Sequence, residues 1–259
     1  MATVVQIFIF AFGAVIGSFL NAVVWRLRTK ESFVRGRSYC PECRHQLAAI
    51  DLIPILSYLL LTGRCRYCRK GISAHYPVVE AVSGLLFLLA WFRLAAPDGS
   101  VSGLVLAQMV FYWYLIAVFI LVFMYDLKYL MILPEVVGPA AAAALAANIA
   151  LGHGWLGPIL GAVIAGGFFR LQFVLSRGRW VGGGDAWLGL LIGAALGWQK
   201  ALLTLLLAYV GGALVALVML GLGRKKLGQQ LAFGTFLSVA ALFSLIFGDA
   251  AIHWYLGLI

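Results

Sequence analysis

The stretch LVLAQMVFYWYLIAVFILVFMYD, residues 104–126, has no charged side chain before its last residue, an aspartate. A helix needs about 20 mainly apolar residues to cross the hydrocarbon core of a bilayer, and this stretch is long enough. The rest of the chain has the same character, because 64% of its 259 residues are hydrophobic and only 11% are charged. Soluble domains carry a much larger charged fraction. The sequence therefore predicts an all-α fold, a polytopic membrane helix bundle.

The apolar stretches on either side of residues 104–126 predict about eight transmembrane helices in all. We expect residues 3–25 to be a retained first helix, because no basic residue precedes them and no convincing signal-peptide cleavage site follows. The span 185–198 is short, which predicts a broken or tilted helix. The chain is thus divided into a first transmembrane helix at 1–25, a loop at 26–76 and a helix bundle at 77–259. The predicted spans lie at roughly 3–25, 77–95, 104–125, 135–152, 155–175, 185–198, 200–221 and 231–248.

The net charge of +10 is unevenly distributed along the chain. Ten of the 19 Lys and Arg residues lie between Arg26 and Lys70, and Arg224, Lys225 and Lys226 form a second cluster. Cytoplasmic loops of membrane proteins are rich in Lys and Arg, so we expect both clusters to be cytoplasmic and both termini to lie on the opposite side. The alternatives are attraction to anionic lipid head groups and nucleic-acid binding. We predict contact with membrane lipid and no nucleic-acid partner.

All four cysteines lie in the first loop, as Cys40-Pro-Glu-Cys43 and Cys65-Arg-Tyr-Cys68. Two CxxC pairs at this separation supply four thiolates for a tetrahedral zinc ion, and a site with four protein ligands is structural because no coordination position stays open. Disulfides and unpaired thiols are the alternatives. Disulfides need an oxidising compartment, whereas the charge pattern places the loop in the cytoplasm. The sequence therefore predicts a cytoplasmic, zinc-ribbon-like loop between the first two transmembrane helices.

Only three acidic residues lie between positions 104 and 248: Asp126, Glu135 and Asp185. An ionisable side chain at membrane depth costs at least a few kcal/mol, so it indicates a functional site by default. Asp126 and Asp185 both stand at the ends of long apolar runs, and two neighbouring carboxylates share a proton. Such a pair hydrolyses a peptide when one carboxylate takes a proton from water and the other polarises the scissile carbonyl. Glu135 follows a proline and is predicted to start a helix, with a supporting role in the site as the alternative.

The glycines before the second aspartate admit two interpretations. Gly182, Gly183 and Gly184 lack Cβ atoms and so leave room for an extended substrate strand beside Asp185. The helix that begins there directs the positive end of its dipole at this carboxylate. The same residues are also typical of a flexible loop with an aspartate N-cap. Asp126 alone can likewise be an interfacial residue at a helix end.

Five motifs in chain order carry a resemblance to a known family. They are GSFLN at 17–21 followed by WRL at 25–27, the two CxxC pairs continuing into ISAHYPVVE at 72–80, Asp126 with LPE at 133–135, GGGD at 182–185, and FGTFL at 233–237. In this order, and over nearly the whole chain, the sequence resembles the type IV prepilin peptidases. These are GxGD aspartyl proteases of the membrane that combine leader peptidase and N-methyltransferase activities.

The resemblance implies a multi-pass enzyme of the bacterial inner membrane with both termini in the periplasm. It implies that Asp126 and Asp185 are the catalytic pair and that prepilins and pseudopilins are the substrates. Cleavage would follow a glycine, commonly with phenylalanine next, and the new amino terminus would be methylated from S-adenosylmethionine. Nothing in the chain is similar to a soluble methyltransferase fold. We expect the site of this cofactor to involve the cytoplasmic loop and nearby helix ends.

Three positions depart from the family pattern. Trp187 stands where lysine is usual, Thr235 where proline is usual, and Val137-Gly138 where Leu-Thr is common. These departures bear on substrate positioning and on the balance of the two activities more than on the fold. Two alternatives stay open beside the bifunctional enzyme. One is a peptidase without methyltransferase activity, and the other is a non-enzymatic membrane scaffold or channel whose zinc loop docks a cytoplasmic partner.

Overall fold

The protein is an assembly of α-helices, in agreement with the class predicted from the sequence. A computed structural model describes residues 2–32, 35–96, 101–223 and 231–258. Within these residues there are eight α-helices, a 3₁₀ turn at Ala49–Leu52 and two isolated β-bridges. The predicted basic cluster Arg224–Lys226 lies outside the described residues. The helices are α1 (Ala2–Thr29), α2 (Leu56–Leu60), α3 (His75–Leu94), α4 (Gly103–Tyr129), α5 (Pro134–Ala150), α6 (Leu156–Ser176), α7 (Gly183–Gly221) and α8 (Phe233–Leu256).

Six of the helices in the described ranges are long and apolar enough to cross a membrane: α1, α3, α4, α6, α7 and α8. The prediction of a multi-pass membrane protein is therefore confirmed. Helix α5 matches the predicted span 135–152 but has only 17 residues. At a rise of 1.5 Å per residue it is about 26 Å long, slightly less than the roughly 30 Å hydrocarbon core of a bilayer.

Helix α7 accounts for two of the eight predicted spans, because it is a helical hairpin with its turn at Gly197. The backbone of Gly197 has φ 77° and ψ 170°, a non-helical conformation that glycine adopts readily. The ring of Phe169 contacts both arms: it lies 2.9 Å from the Cβ position at Gly189, and its centroid is 6.4 Å from that of Tyr209. A straight helix would separate these two residues by about 30 Å. The break thus falls beside the predicted boundary between 185–198 and 200–221.

The chain divides into two compact units, and in the first, Met1–Val105, helix α1 packs closely on α3. Small residues permit the close approach. A Cβ atom on Gly17 would lie 2.7 Å from the Ser83 hydroxyl, and one on Gly13 would lie 2.9 Å from the Cα atom of Gly84. The loop that carries the cysteines connects these two helices and belongs to the same unit.

In the second unit, Leu106–Ile259, helix α6 packs against α7 through two facing glycines. A Cβ atom built on Gly193 would overlap the carbonyl carbon of Gly161, so the two backbones are in direct contact. Membrane helices use small residues in this way because dispersion forces grow as backbones approach. On α6, Gly161 and Gly166 both lie in close contact with α7. Gly157 and Gly167 face open space.

Replacing Gly193 with alanine is expected to force α6 and α7 apart. The added methyl group overlaps backbone atoms that have no room to move, and overpacking of this kind costs about 1–3 kcal/mol. We expect thermal unfolding of the purified protein to shift down by about 5 °C. Gly211→Ala on the same helix is the matched control, since a Cβ there meets nothing within 4 Å. Equal unfolding temperatures for the two variants would contradict the close packing.

Candidate active site and candidate metal centre

Asp126 lies in the last turns of α4 and is buried, with 5% of its surface exposed. Its Oδ2 atom accepts a hydrogen bond from the backbone N–H of Thr235 at 2.9 Å, and the N–H of Gly234 is also directed at the carboxylate. Both amides belong to the first turn of α8, where N–H groups have no partner within the helix. The preceding residue, Ala232, provides no side-chain cap. Asp126 therefore caps α8 from another helix, and the positive end of the α8 dipole stabilises its negative charge.

Asp185 lies in the first turn of α7 and is buried to a similar degree, with 6% of its surface exposed. Its Oδ2 atom accepts a hydrogen bond from the N–H of Gly182 at 2.8 Å. Within the described residues, Oδ1 of Asp185 accepts no hydrogen bond. One oxygen thus fixes the carboxylate at the helix N-terminus, and the other remains available to a water molecule or a substrate group.

The two aspartates belong to one region of the second unit. Ile132, in the segment between α4 and α5, connects them. A Cβ atom on Gly184, next to Asp185, would lie 2.7 Å from the Ile132 Cβ atom. A Cβ atom on Gly234 would lie 2.9 Å from Ile132 Cδ1 and 2.8 Å from Asp126 Oδ2. The two carboxylates are also close enough to interact electrostatically. This arrangement brings together two chemically similar groups that are 59 residues apart in the sequence.

The other residues predicted for this site are not all placed beside the aspartates. Gly182 forms the hydrogen bond with Asp185 described above, and Gly183 lies 3.6 Å, measured from its Cβ position, from the Phe173 ring. The space that Gly184 leaves open is filled by Ile132 of the same chain. Glu135 is exposed in the first turn of α5, and no contact described for its side chain reaches either aspartate.

Several contacts near the aspartates could not be expected from the sequence. The Thr235 amide positions Asp126, and its Oγ1 donates to the Ala232 carbonyl at 2.6 Å. A threonine at the start of an apolar run is a helix-capping signal, but its partner 109 residues away is not visible in the sequence. Tyr209 exchanges hydrogen bonds with Gln172 at 2.9 and 3.0 Å and lies within electrostatic reach of Asp185. A polar pair of this kind between apolar helices has no sequence signature.

Two of the three departures from the family pattern are neighbours in space. The Cβ position of Gly138 on α5 is 3.4 Å from Cζ3 of Trp187 on α7. A Cβ atom at position 138 would be in ordinary van der Waals contact with the tryptophan ring, so the two departures lie against each other. Thr235, the third departure, donates through an N–H group that a proline would lack.

The four cysteines form a cluster in the first unit, with their sulfur atoms all within 4.8 Å of one another. The Sγ atoms of Cys40 and Cys68 are 3.9 Å apart, much longer than a disulfide bond. Four sulfurs around a tetrahedral zinc ion would stand about 3.8 Å apart at a Zn–S distance of about 2.3 Å. The cluster therefore has the size and the donor set of a Cys₄ metal centre.

The two CxxC pairs have the same backbone geometry. In the first, Cys40 N–H donates to His45 O and Arg44 N–H to Cys40 O; in the second, Cys65 N–H donates to Lys70 O and Arg69 N–H to Cys65 O. Arg44 and Arg69 occupy equivalent positions with φ of 57° and 60°. In the second pair, this turn directs the amides of Tyr67, Cys68 and Lys70 at the sulfurs.

The electrostatics of the cluster favour thiolate formation at one sulfur. Burial alone would raise the pKa of the Cys65 thiol, but hydrogen bonds from the Cys68 and Tyr67 amides outweigh it and bring the pKa to about 7. The Lys70 amide lowers the pKa of Cys68, but burial and the neighbouring thiols outweigh it and raise the pKa to about 11. Close thiolates repel one another, so a divalent cation is what allows all four to ionise.

A pair of buried carboxylates at helix ends, inside a multi-pass membrane protein, defines a candidate intramembrane aspartic protease. Comparison with known proteins agrees with this class of protein. Residues 11–94 match the Bacterial Peptidase A24 N-terminal domain, and residues 109–217 match the Type IV leader peptidase family. No solved structure matches the chain.

Three relatives named prepilin leader peptidase/N-methyltransferase illustrate the similarity. The protein from Aeromonas hydrophila is 32% identical, over 96% of this chain and 92% of its own length. The protein from Burkholderia pseudomallei is 33% identical, over 93% of this chain and 85% of its own length. The protein from Pseudomonas aeruginosa is 29% identical, over 94% of this chain and 91% of its own length. The chain belongs to the type IV leader peptidase family.

Proposed function

We propose that this protein is an endopeptidase that removes the leader peptide of prepilins and pseudopilins and then N-methylates the new amino terminus. The observation that carries the proposal is the pair of buried aspartates, Asp126 and Asp185, which two different helices hold in one region. Membership in the type IV leader peptidase family and the names of its relatives support both activities. A scaffold would have no need for two buried carboxylates at membrane helix ends.

The proposed reaction uses the two carboxylates in complementary roles. One, ionised, takes a proton from a water molecule, and the water oxygen attacks the carbonyl carbon of the scissile bond. The other, protonated, donates a hydrogen bond to the carbonyl oxygen as negative charge develops there. The C–N bond then breaks, and the departing amine takes up a proton. The α8 amides fix Asp126 and the Gly182 amide fixes Asp185, so little reorganisation is needed during the reaction.

The proposed substrates suit the position of the site. A prepilin is a membrane-anchored helix with a short basic leader, so its cleavage point, after a glycine, lies at the membrane surface. We propose that the aspartates lie at the cytoplasmic face of the bacterial inner membrane and that both termini are periplasmic, as the distribution of Lys and Arg indicates. Gly182, Gly183 and Glu135 are proposed to border the path of the substrate strand, whereas Ile132 packs against Gly184.

Two further components complete the proposal. Cys40, Cys43, Cys65 and Cys68 would hold a structural Zn²⁺, which stabilises the loop at residues 26–76 without taking part in the chemistry. S-adenosylmethionine would supply the methyl group. It would donate this group to the amine of the cleaved substrate, which would lose one proton to solvent, and S-adenosylhomocysteine would remain.

Mass spectrometry of a pilin processed by this protein tests both activities at once. We expect the mature chain to begin immediately after the leader glycine and to carry an additional mass of about 14 Da from one methyl group. Cleavage without the added mass would indicate a peptidase that lacks methyltransferase activity. An unprocessed pilin, in the presence of folded protein, would contradict the proposal and favour a non-enzymatic scaffold.

A further inference from the structure

The cysteine loop contains an uncharged apolar stretch, LIPILSYLLL at residues 52–61, which lies between the two CxxC pairs. Helix α2 falls within this stretch. Leu56, Leu59 and Leu60 share one side of the helix, and 56%, 62% and 79% of their surfaces are exposed. Exposed apolar residues are ordinary when they occur singly, whereas several together mark an interaction surface. These three residues, the leucine face, therefore form a candidate contact surface.

The opposite side of α2 packs inward. Ser57, Tyr58 and Leu61 line a cavity whose other walls include residues of α1 and α3. The Tyr58 hydroxyl oxygen lies 2.9 Å from the Cβ position at Gly63, so the ring is directed back at the loop. The Leu61 N–H donates to the Ser57 carbonyl at 3.0 Å, so the last turn of the segment closes its own backbone hydrogen bond. The leucine face is consequently on the side of α2 that the loop leaves uncovered.

A hydrogen bond to a spanning helix fixes the level of α2. The Glu80 Oε2 atom accepts from the amide of Ile55, the residue that precedes α2, at 2.7 Å. Helix α3 begins at His75, so Glu80 is about 7.5 Å along a helix that can cross the membrane. A Cβ atom on Gly17 of α1 would lie 2.9 Å from the Glu80 Cα atom, and α1 continues from Gly17 to Thr29. The start of α2 therefore lies at a level that both spanning helices pass through.

The contact between Ile55 and Glu80 is built into the fold. Ile55 has φ 63° and ψ −51°, an uncommon conformation for a β-branched residue. Strained backbone of this kind persists when the surrounding structure holds it in place. Glu80 is buried, with 8% of its surface exposed, so its carboxylate is a fixed partner for the Ile55 amide. The level of α2 is thus determined by the loop and by α3 together.

Basic side chains follow the leucine face in the chain. Arg64, Arg69 and Lys70 are exposed, and none of them forms an ion pair within the described residues. An isolated β-bridge between Arg64 and Gly71 brings Arg64 close to Lys70. Clusters of Lys and Arg attract the anionic head groups of phospholipids. A segment that combines exposed leucines with neighbouring basic residues has the composition of an element that lies in the membrane interface.

We infer that the leucine face is an anchor in the interface of the membrane that α1 and α3 span. The three leucines enter the boundary between head groups and acyl chains, and Arg64, Arg69 and Lys70 bind phosphate groups of anionic lipids. A protein partner would have to reach the leucines at a level where lipid already surrounds the spanning helices, so lipid is the occupant that the geometry favours. The anchor holds the cysteine loop against the membrane surface, and it is independent of the cleavage and methylation reactions.

Photo-crosslinking of the full chain in the membranes of expressing cells tests the anchor. The photoreactive amino acid p-benzoylphenylalanine is placed at Leu56, Leu60, Phe8 or Tyr58, and mass spectrometry identifies what it binds after illumination. We expect phospholipid adducts at Leu56 and Leu60. Phe8, which is 71% exposed on the spanning helix α1, is the positive control. Tyr58, an aromatic residue on the opposite side of α2, is the matched control and should give no lipid adduct.

Two results would overturn the anchor. One is the absence of lipid adducts at Leu56 and Leu60 when Phe8 is labelled. The other is crosslinking of these two positions to a second copy of the chain or to another protein, which would make the leucine face a protein interface.

The role of the basic residues is tested in nanodiscs made of equal parts of phosphatidylglycerol and phosphatidylcholine. At Leu60 we expect adducts of the anionic phosphatidylglycerol to exceed those of phosphatidylcholine about fivefold. The combined change Arg64→Gln, Arg69→Gln and Lys70→Gln should bring this ratio to about one, while an unchanged zinc content shows that the loop is still folded. Equal labelling by the two lipids in the unmodified loop, or a ratio that the triple change does not alter, would overturn the assignment of these three residues to lipid phosphates.

Discussion

Asp126→Asn and Asp185→Asn are each expected to lower the rate of prepilin cleavage by about 10³-fold or more. An amide can neither take the proton of the attacking water nor donate as a carboxylic acid does, and proton transfer contributes about 10²–10⁴-fold to such reactions. Asparagine has nearly the same shape as aspartate, and its oxygen can still accept from the Thr235 or Gly182 amide. The fold should therefore persist while the chemistry stops. The measurement is the initial rate of leader release with purified enzyme and a full-length prepilin.

Asp249→Asn provides the matched control for this loss. Asp249 is at the other end of α8 and forms an ion pair with Lys200 at 2.8 Å, so its replacement removes a carboxylate from the same unit without affecting the proposed site. We expect this variant to cleave at a rate close to that of the wild type. Both active-site variants should also methylate a pilin that has already been cleaved, because the methyl-transfer step needs no aspartate pair. A cleavage rate above about a tenth of the wild-type value in either Asp126→Asn or Asp185→Asn would contradict the assigned roles.

Removal of the cysteine ligands is expected to have the second largest effect. Purified protein should contain about one zinc ion per chain, and Cys40→Ser or Cys65→Ser should lose it. Structural zinc sites contribute about 10–16 kcal/mol of apparent binding free energy at neutral pH, so a loop without its metal should unfold locally. The measurements are the metal content by mass spectrometry and the rate of proteolysis within residues 26–76.

The control for the cysteine variants is Thr62→Ser, a conservative change at an exposed position of the same loop. It should keep both the metal and the resistance to proteases. Wild-type protein that contains no zinc, or in which the four thiols are joined as two disulfides, would contradict the metal centre. The 3.9 Å separation of Cys40 and Cys68 already fits coordination better than a direct sulfur–sulfur bond.

The helices could be predicted from the sequence because a long apolar run is stable in a membrane as an α-helix, which satisfies its backbone hydrogen bonds internally. The predicted span 104–125 lies inside α4 (Gly103–Tyr129), and the two spans that meet near residue 199 correspond to the arms of α7 on either side of Gly197. The cysteine cluster could be predicted for a similar reason, since each CxxC pair forms a short turn whose two cysteines are held close together by the chain between them. In both cases the interactions that determine the structure join residues that are close together in the sequence.

The environment of the aspartates could not be predicted, because it depends on contacts between distant residues. Nothing near Asp126 in the sequence indicates that the Thr235 amide holds it, and nothing near Trp187 indicates that its ring lies beside Gly138. The space beside Gly184, expected to be open to substrate, is filled by Ile132. Backbone amides and packing surfaces carry no residue-type signature, so only the folded chain reveals them.

Asp126 and Asp185 are proposed to act on the same reacting atoms. This proposal can be tested by measuring, with the protein in nanodiscs, its affinity for a prepilin peptide whose scissile amide is replaced by a hydroxyethylene group. Its hydroxyl occupies the position of the attacking water, and analogues of this kind gain affinity from interactions made in the transition state. We predict that Asp126→Asn and Asp185→Asn each weaken binding by about tenfold or more, while Asp249→Asn has no effect. Wild-type affinity in either active-site variant would contradict a shared site.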